Sequence, residues 1–286
     1  GGIVVAAASS ATFLATRTPH KALAPWQTAG SYEDPRLYAM SYALLAPNPH
    51  NRQPWIAELT GSDGVTLYRD RQRDLPVTDP YGRQLTIGMG CFIELMRMAA
   101  AEKGFLVEID QMPDGEEGPV ARCRFVAGKG LADPLFQHVM NRRSHKDAFA
   151  ARTVEATTAK QLSDFAAIYV DGQEQQTLQA IAHDAWMAEA STPPAWQESI
   201  DLLRIGKSEI NASPDGIDAG GPMLETLALL GIFTREAASD INNAGSQDAI
   251  KSTADAILSA PAMTLPITAG NSRLDQLEAG RQWMRL

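Results

Sequence analysis

Apolar positions recur at helix and strand spacing along most of the chain, and their rhythm divides it. Over residues 35–46, Leu37, Met40, Leu44 and Leu45 repeat at helical spacing, with Asp34 before Pro35 as a start signal. A turn cluster follows, Pro47-Asn48-Pro49-His50-Asn51. Strands are expected at 54–60 and 64–69, joined through Gly61-Ser62-Asp63-Gly64. Residues 70–84 are polar, with Asp79-Pro80-Tyr81-Gly82 as a turn. Residues 85–103 are almost wholly apolar, which predicts a helix buried on most sides and ended at Gly104. Strands at 105–110 and 121–127 flank Met112-Pro113-Asp114-Gly115.

Beyond Leu131 the segments are shorter. Helices are expected at 132–140, 156–166, 174–190 and about 194–206, with a strand at 167–170. Residues 207–222, rich in Gly, Pro and Asp, read as a long loop. Helices at 223–237 and about 246–254, a strand at 256–267 and a last helix from Arg273 complete the chain. The pattern is that of an α+β protein with an N-terminal segment at 1–30, a first half at 31–128 and a second half at 129–286.

A faint repeat links the halves. Leu95-Met96-Arg97-Met98 lies in the apolar helix, and Trp283-Met284-Arg285-Leu286 in the last one. Four residues carry little weight alone. If the repeat holds, the first half runs on through two strands past its copy and the second half stops there. That leads us to expect an incomplete C-terminus. Residues 3–15 are apolar and small, too short for a span of about 20 residues. They fit the apolar core of an export signal without its basic start, or equally a buried helix. Residues 19–36 read as a linker.

Composition narrows the function. The 286 residues are 44% hydrophobic and 21% charged, which is globular and long enough for a substantial core. A net charge of −9 argues against a general nucleic-acid binder. Two cysteines, Cys91 and Cys123, exclude a disulfide scaffold and leave one bridge open. No two histidines lie four residues apart, so helical zinc spacing is absent. Gly88-Met89-Gly90 lacks the third glycine of a dinucleotide loop, its place being held by Ile93.

Two polar clusters remain. In Pro49-His50-Asn51-Arg52-Gln53-Pro54-Trp55, prolines stiffen both ends of a run of amide and guanidinium groups. Such a set suits a heterocycle with alternating N–H and C=O groups, or a polyol. It also suits a capped turn that leads Trp55 into the core. In Asn141-Arg142-Arg143-Ser144-His145-Lys146, three cations gather in an acidic chain. A phosphate is the natural ligand there, and a solvated basic helix end is the plain alternative.

Together the clusters resemble the nitroreductase superfamily of flavin enzymes. Asn51-Arg52-Gln53-Pro54-Trp55 is similar to that family's Asn-x-Gln-Pro-Trp, which lines the flavin. Arg142-Arg143-Ser144-His145-Lys146 is similar to its Arg-Arg-Ser segment, with one extra residue before the aromatic Phe149. In the family the Arg-Arg-Ser segment precedes the other, whereas here it follows in the second half. Family members are homodimers that build each site from two subunits. The chain therefore resembles the Acg-type branch, in which two nitroreductase-like halves, each a mixed or antiparallel sheet with flanking helices, form an internal pseudo-dimer.

That resemblance implies FMN as cofactor, held by His50, Asn51, Arg52, Gln53, Arg142, Arg143, Ser144 and Lys146, with no catalytic side chain and no metal. It implies NAD(P)H as co-substrate and a small-molecule electron acceptor, nitroaromatic or quinone-type. The rival is a protein that holds FMN without turnover beneath a lid formed by 207–222 or 70–84. A pseudo-dimer needs no second chain, so a monomer is expected, with a homodimer as the alternative. No stable membrane span is expected. Twin-arginine export, common in the branch, would place the protein in the periplasm or outside, and the alternative is the cytoplasm.

Overall fold

The computed structural model describes residues 16–286. Helix α1 (Ala24–Thr28) leads to α2 (Pro35–Ala43), whose first turn is capped by the Asp34 carboxylate, which accepts from the Arg36 amide. Strands β1 (Trp55–Thr60) and β2 (Gly64–Arg69) form the expected hairpin, with Trp55 opposite Arg69 and Thr60 opposite Gly64. Helix α3 (Arg83–Glu102) follows, then strands β3 (Phe105–Gln111) and β4 (Ala121–Ala127). The four strands make one antiparallel sheet in the order β1-β2-β4-β3.

Alternation decides which face of this sheet is covered. On β4, Ala121, Cys123 and Phe125 are buried, while Arg122 and Arg124 face solvent and pair with Asp114 and Glu108. Cys123 and Phe125 join Phe92, Leu95 and Met96 of α3 and Ala39 and Ala43 of α2 in the main core. Cys91 and Cys123 are both buried and free, and burial pushes each thiol up to about 12, so the open bridge is not made.

In the second half, helices α4 (Ala156–Leu162), α5 (Gly172–Ala190), α6 (Pro193–Asp201), α7 (Gly206–Ala212), α8 (Pro222–Leu229), α9 (Arg235–Ser239), α10 (Ala244–Ser259) and α11 (Arg273–Arg285) surround two small sheets. In one, β5 (Ala166–Tyr169) pairs antiparallel with β8 (Met263–Pro266). In the other, β6 (Leu203–Ile205) pairs parallel with β7 (Ile217–Ala219). The fold is α+β.

Several segments differ from expectation. The helix expected at 132–140 is a short 3-10 turn, Pro134–His138, started by Asp133. The helix expected to 206 stops at Asp201, because residues 203–205 turn out to pair with β7. The loop expected at 207–222 holds α7 and β7. The helix expected at 223–237 breaks at Gly231, whose φ of 71° leaves the helical region, and restarts at the Thr234 cap. Of residues 256–267, the first four complete α10 and only Met263–Pro266 is extended. The export-signal reading of residues 3–15 lies outside the described residues. No described helix is long and apolar enough to cross a membrane.

Helices α3 and α11, on which the two copies of the faint repeat fall, pack closely against each other. Glycines permit the close approach: a Cβ at Gly90 would overlap the Leu277 carbonyl, and one at Gly280 would overlap the Ile87 carbonyl. Beside this crossing, buried Glu94 accepts from Arg97 (2.7 Å), Arg281 (3.1 Å) and Arg285 (2.9 Å). Asp133 takes the same Arg97 and Arg285 at 2.9 and 2.6 Å. Burial alone would raise the Glu94 carboxyl, but the Arg97 hydrogen bond and the charges of Arg97 and Arg281 hold it below its ordinary value. Arg97 and Arg285, the matched arginines of the repeat, thus share one pair of carboxylates.

Candidate functional site

The turn between α2 and β1 is wound against its own preferences. His50, Asn51 and Gln53 have φ of 47°, 50° and 50°, a left-handed region that costs a non-glycine residue on the order of 1 kcal/mol or more. Local bonds hold it. The Asn48 side-chain oxygen accepts from the Gln53 amide at 2.7 Å, and the Pro49 carbonyl accepts from the Arg52 amide at 3.0 Å. The result splits the cluster by direction. Asn51 and Gln53 line a cavity, while Arg52 is turned inward and 9% exposed.

The segment following α7 closes on this turn. The Pro214 carbonyl accepts from Asn51 Nδ2 at 3.0 Å and from Gln53 Nε2 at 2.9 Å. The Gly216 amide donates to the Asn51 carbonyl at 3.1 Å. Arg52 Nη1 meets Asp215 Oδ2 at 2.5 Å, and its other nitrogens donate to the Arg73 and Gln72 carbonyls. Asp215 also takes Arg204 at 3.1 Å and the Ser213 hydroxyl at 2.6 Å. Burial would raise this carboxyl; Ser213, Arg204 and the charge of Arg52 hold it below the usual range. His50 Nε2 lies 3.1 Å from Ser199 Oγ, and its Nδ1 is buried without a partner among the described residues. Burial pushes His50 below its ordinary value, which favours the neutral ring near pH 7.

The cavity has a volume of about 330 Å³, at the small end of ligand pockets. Trp26, Leu44 and Leu45 give it an apolar wall, with Asn51, Gln53 and Pro214 also lining it and Lys21 and Arg204 as its cations. The basic cluster reaches this wall from behind. Arg142 is half-buried, donates to the Leu45 carbonyl at 2.8 Å and has no carboxylate partner among the described residues; burial lowers its pKa. Arg143 stacks over Trp26 at 3.6 Å and donates to the Met140 and Arg142 carbonyls. Ser144 and Lys146 are exposed on the surface.

The fold therefore brings the two clusters to one cavity from opposite halves of the chain. Asn51 and Gln53 line it, Arg142 and Arg143 back its wall, His50 and Arg52 brace the turn, and Ser144 and Lys146 stand away from these contacts. Sequence reasoning gave no site role to Trp26, Asp215 or Arg204, although the stretches 204–210 and 214–218 resemble the same Acg-type branch. Trp26 has a visible signal, an aromatic after Pro25 in an otherwise polar linker. Asp215 has one in the Asp-Gly turn, but its partner Arg52 is far away in sequence.

Known proteins share part of this chain. Over 78 residues it is 36% identical to a Mycobacterium tuberculosis protein named "Putative NAD(P)H nitroreductase acg", a match spanning 27% of this chain and 23% of that one. Over 79 residues it is 37% identical to an uncharacterized protein of the same species, again across 23% of the relative's length. No family model matches. The chain is thus similar to a nitroreductase over about a quarter of that relative's length.

The site suits a flavin mononucleotide in the chemistry of its donors. Two amide groups already converge on one carbonyl oxygen, that of Pro214, which is the kind of acceptor a flavin ring edge presents. Lys21 and Arg204 line the cavity and half-buried Arg142 stands behind its apolar wall, cations of the kind a phosphate takes.

Proposed function

We propose that the chain is a nitroreductase-like oxidoreductase that binds FMN between its two halves, uses NAD(P)H and reduces nitroaromatic or quinone-type acceptors. The observation that carries this reading is a cavity lined by Asn51 and Gln53 whose Leu45 and Trp26 wall is held from behind by Arg142 and Arg143, together with the partial similarity to a protein named as a nitroreductase. FMN, when bound, supplies the hydride chemistry. Asn51 and Gln53 would hold a ring carbonyl edge in place of the Pro214 carbonyl they bond in this structure. Arg142 would neutralise the phosphate by turning from the Leu45 carbonyl it bonds in this structure, with Arg143 braced by Trp26. Trp26, Leu44 and Leu45 exclude water from the ring face. The shared arginine–carboxylate cluster and the glycine crossing of α3 and α11 support two halves arranged as a pseudo-dimer within one chain.

The purified protein is expected to carry flavin absorption bands, or to gain them on incubation with FMN. Arg142→Ala is expected to weaken FMN binding by at least ten-fold in an equilibrium titration. A protein that stays colourless with FMN, or an unchanged affinity in the variant, overturns the reading. One observation favours the rival of FMN held without turnover: the 214–216 segment is bonded directly to the turn. Anaerobic NAD(P)H separates the two. Bleaching of bound flavin supports the oxidoreductase, and persistent yellow colour supports the holding protein.

A further inference from the structure

Helix α8 and the turn after it have their polarity reversed. Residues 222–233 contain one ionisable side chain, Glu225, and it points inward at 7% exposure. There its carboxylate accepts from Arg17 Nη1 at 3.0 Å and from the Lys207 amide at 3.1 Å. The large apolar side chains point outward: Met223, Leu229, Leu230 and Ile232 are 70%, 76%, 67% and 61% exposed. An ordinary surface helix does the opposite, turning its apolar stripe to the core. Four such side chains within ten residues mark an interaction surface.

The surroundings indicate what covers it. Leu229 and Ala228 line an open depression together with Arg17, Lys21 and Lys207. Against Glu225, those three cations leave this face positive in a chain whose net charge is −9. The apolar run at residues 3–15 joins the described chain at Thr16, whose carbonyl accepts from Lys207 Nζ at 2.7 Å.

We propose that this face docks on an anionic lipid surface. Met223, Leu229, Leu230 and Ile232 enter the boundary between headgroups and acyl chains, and Arg17, Lys21 and Lys207 meet lipid phosphates. This is the arrangement of a peripheral amphipathic element, which combines buried apolar area with attraction to negative headgroups. It does not depend on the flavin reading, since the depression shares only Lys21 with the flavin cavity.

The test is co-sedimentation of the full chain with vesicles of phosphatidylglycerol and phosphatidylcholine, against vesicles of phosphatidylcholine alone. Binding to the anionic vesicles is expected, weakening as salt rises. The double substitution L229D/I232D is expected to abolish it. Both positions are solvent-exposed, so an unchanged thermal unfolding midpoint shows the variant folded. Lys207→Gln is expected to cost roughly five-fold in vesicle affinity. Three results overturn the proposal. One is no binding to anionic vesicles. Another is equal binding by wild type and L229D/I232D, which assigns it to residues 3–15 alone. The third is self-association in sedimentation velocity that L229D/I232D abolishes, without vesicle binding, which assigns the face to a second copy of the chain.

Discussion

Helices α3 and α5 are nearly equal in length, 20 and 19 residues, yet α3 buries 15 of its residues and α5 buries one, Ala190. The first sits between the four-stranded sheet, α2 and α11, apolar on most sides, with Glu94 and Arg97 the charged exception. The second lies on α10 and holds to it through polar reach: Trp186 Nε1 donates to the Ile250 carbonyl, and Gln175 and Gln179 donate to the Ala260 carbonyl. One region is stabilised by area removed from water, the other by side chains that bond to backbone. The candidate site lies on the seam between them, with its strained turn on the densely packed side and its covering segment on the loosely packed side.

The sharpest way to break this comparison is one substitution made in both helices. Ile93 of α3 is fully buried. Ile93→Ala should destabilise the protein by about 3 to 4 kcal/mol, the lost transfer energy plus an unfilled cavity. Urea denaturation measures it, and a loss below about 1 kcal/mol would mean that the core around α3 collapses freely. Gly280→Ala follows in size. Its new Cβ meets backbone of α3 and not the end of a flexible side chain, so α11 must move away. A loss of about 2 to 3 kcal/mol is expected. A neutral result would separate the helix crossing from the stability of the first half.

The dense region was also the legible one. The hairpin 55–69 and the helix 83–102 follow from strand-like segments, a glycine turn and an almost wholly apolar run, all of which are local. Strands β6 and β7 have three residues each and exist because they pair with each other across α7. No periodicity marks a strand so short. The site divides in the same way. Asn51, Gln53 and Arg142 stood out by residue type and order. The bond of Arg142 goes to a backbone carbonyl, that of Leu45, and every residue has such a carbonyl. The Arg52–Asp215 pair joins residues far apart in sequence, so nothing near either one announces the other.

That pair gives the next prediction, on the seam itself. The Asp215 carboxyl is held below its usual range in the folded protein. Its contribution to stability is therefore complete above the unfolded value of ~4 and is lost as pH falls through the lower folded value. Asp215→Asn should cost about 2 kcal/mol at neutral pH by weakening its bonds to Arg52 and Arg204. It should also flatten the fall in stability below about pH 4 relative to wild type. Denaturation curves across that range check both. Parallel curves for variant and wild type would show that the covering segment is held by Pro214 and Gly216 alone.

The smallest expected effect completes the comparison. Ile181 of α5 is 60% exposed, so Ile181→Ala removes the same atoms as Ile93→Ala but leaves no cavity behind. Water already covers most of what is deleted. Alanine also has the higher helix propensity, which offsets part of the remaining apolar contact. The change should stay within about 0.5 kcal/mol. A loss above about 1.5 kcal/mol would show that Ile181 is covered in solution, and that α5 gains apolar burial from a surface other than α10. The contrast with α3 would then be one of partner and not of packing.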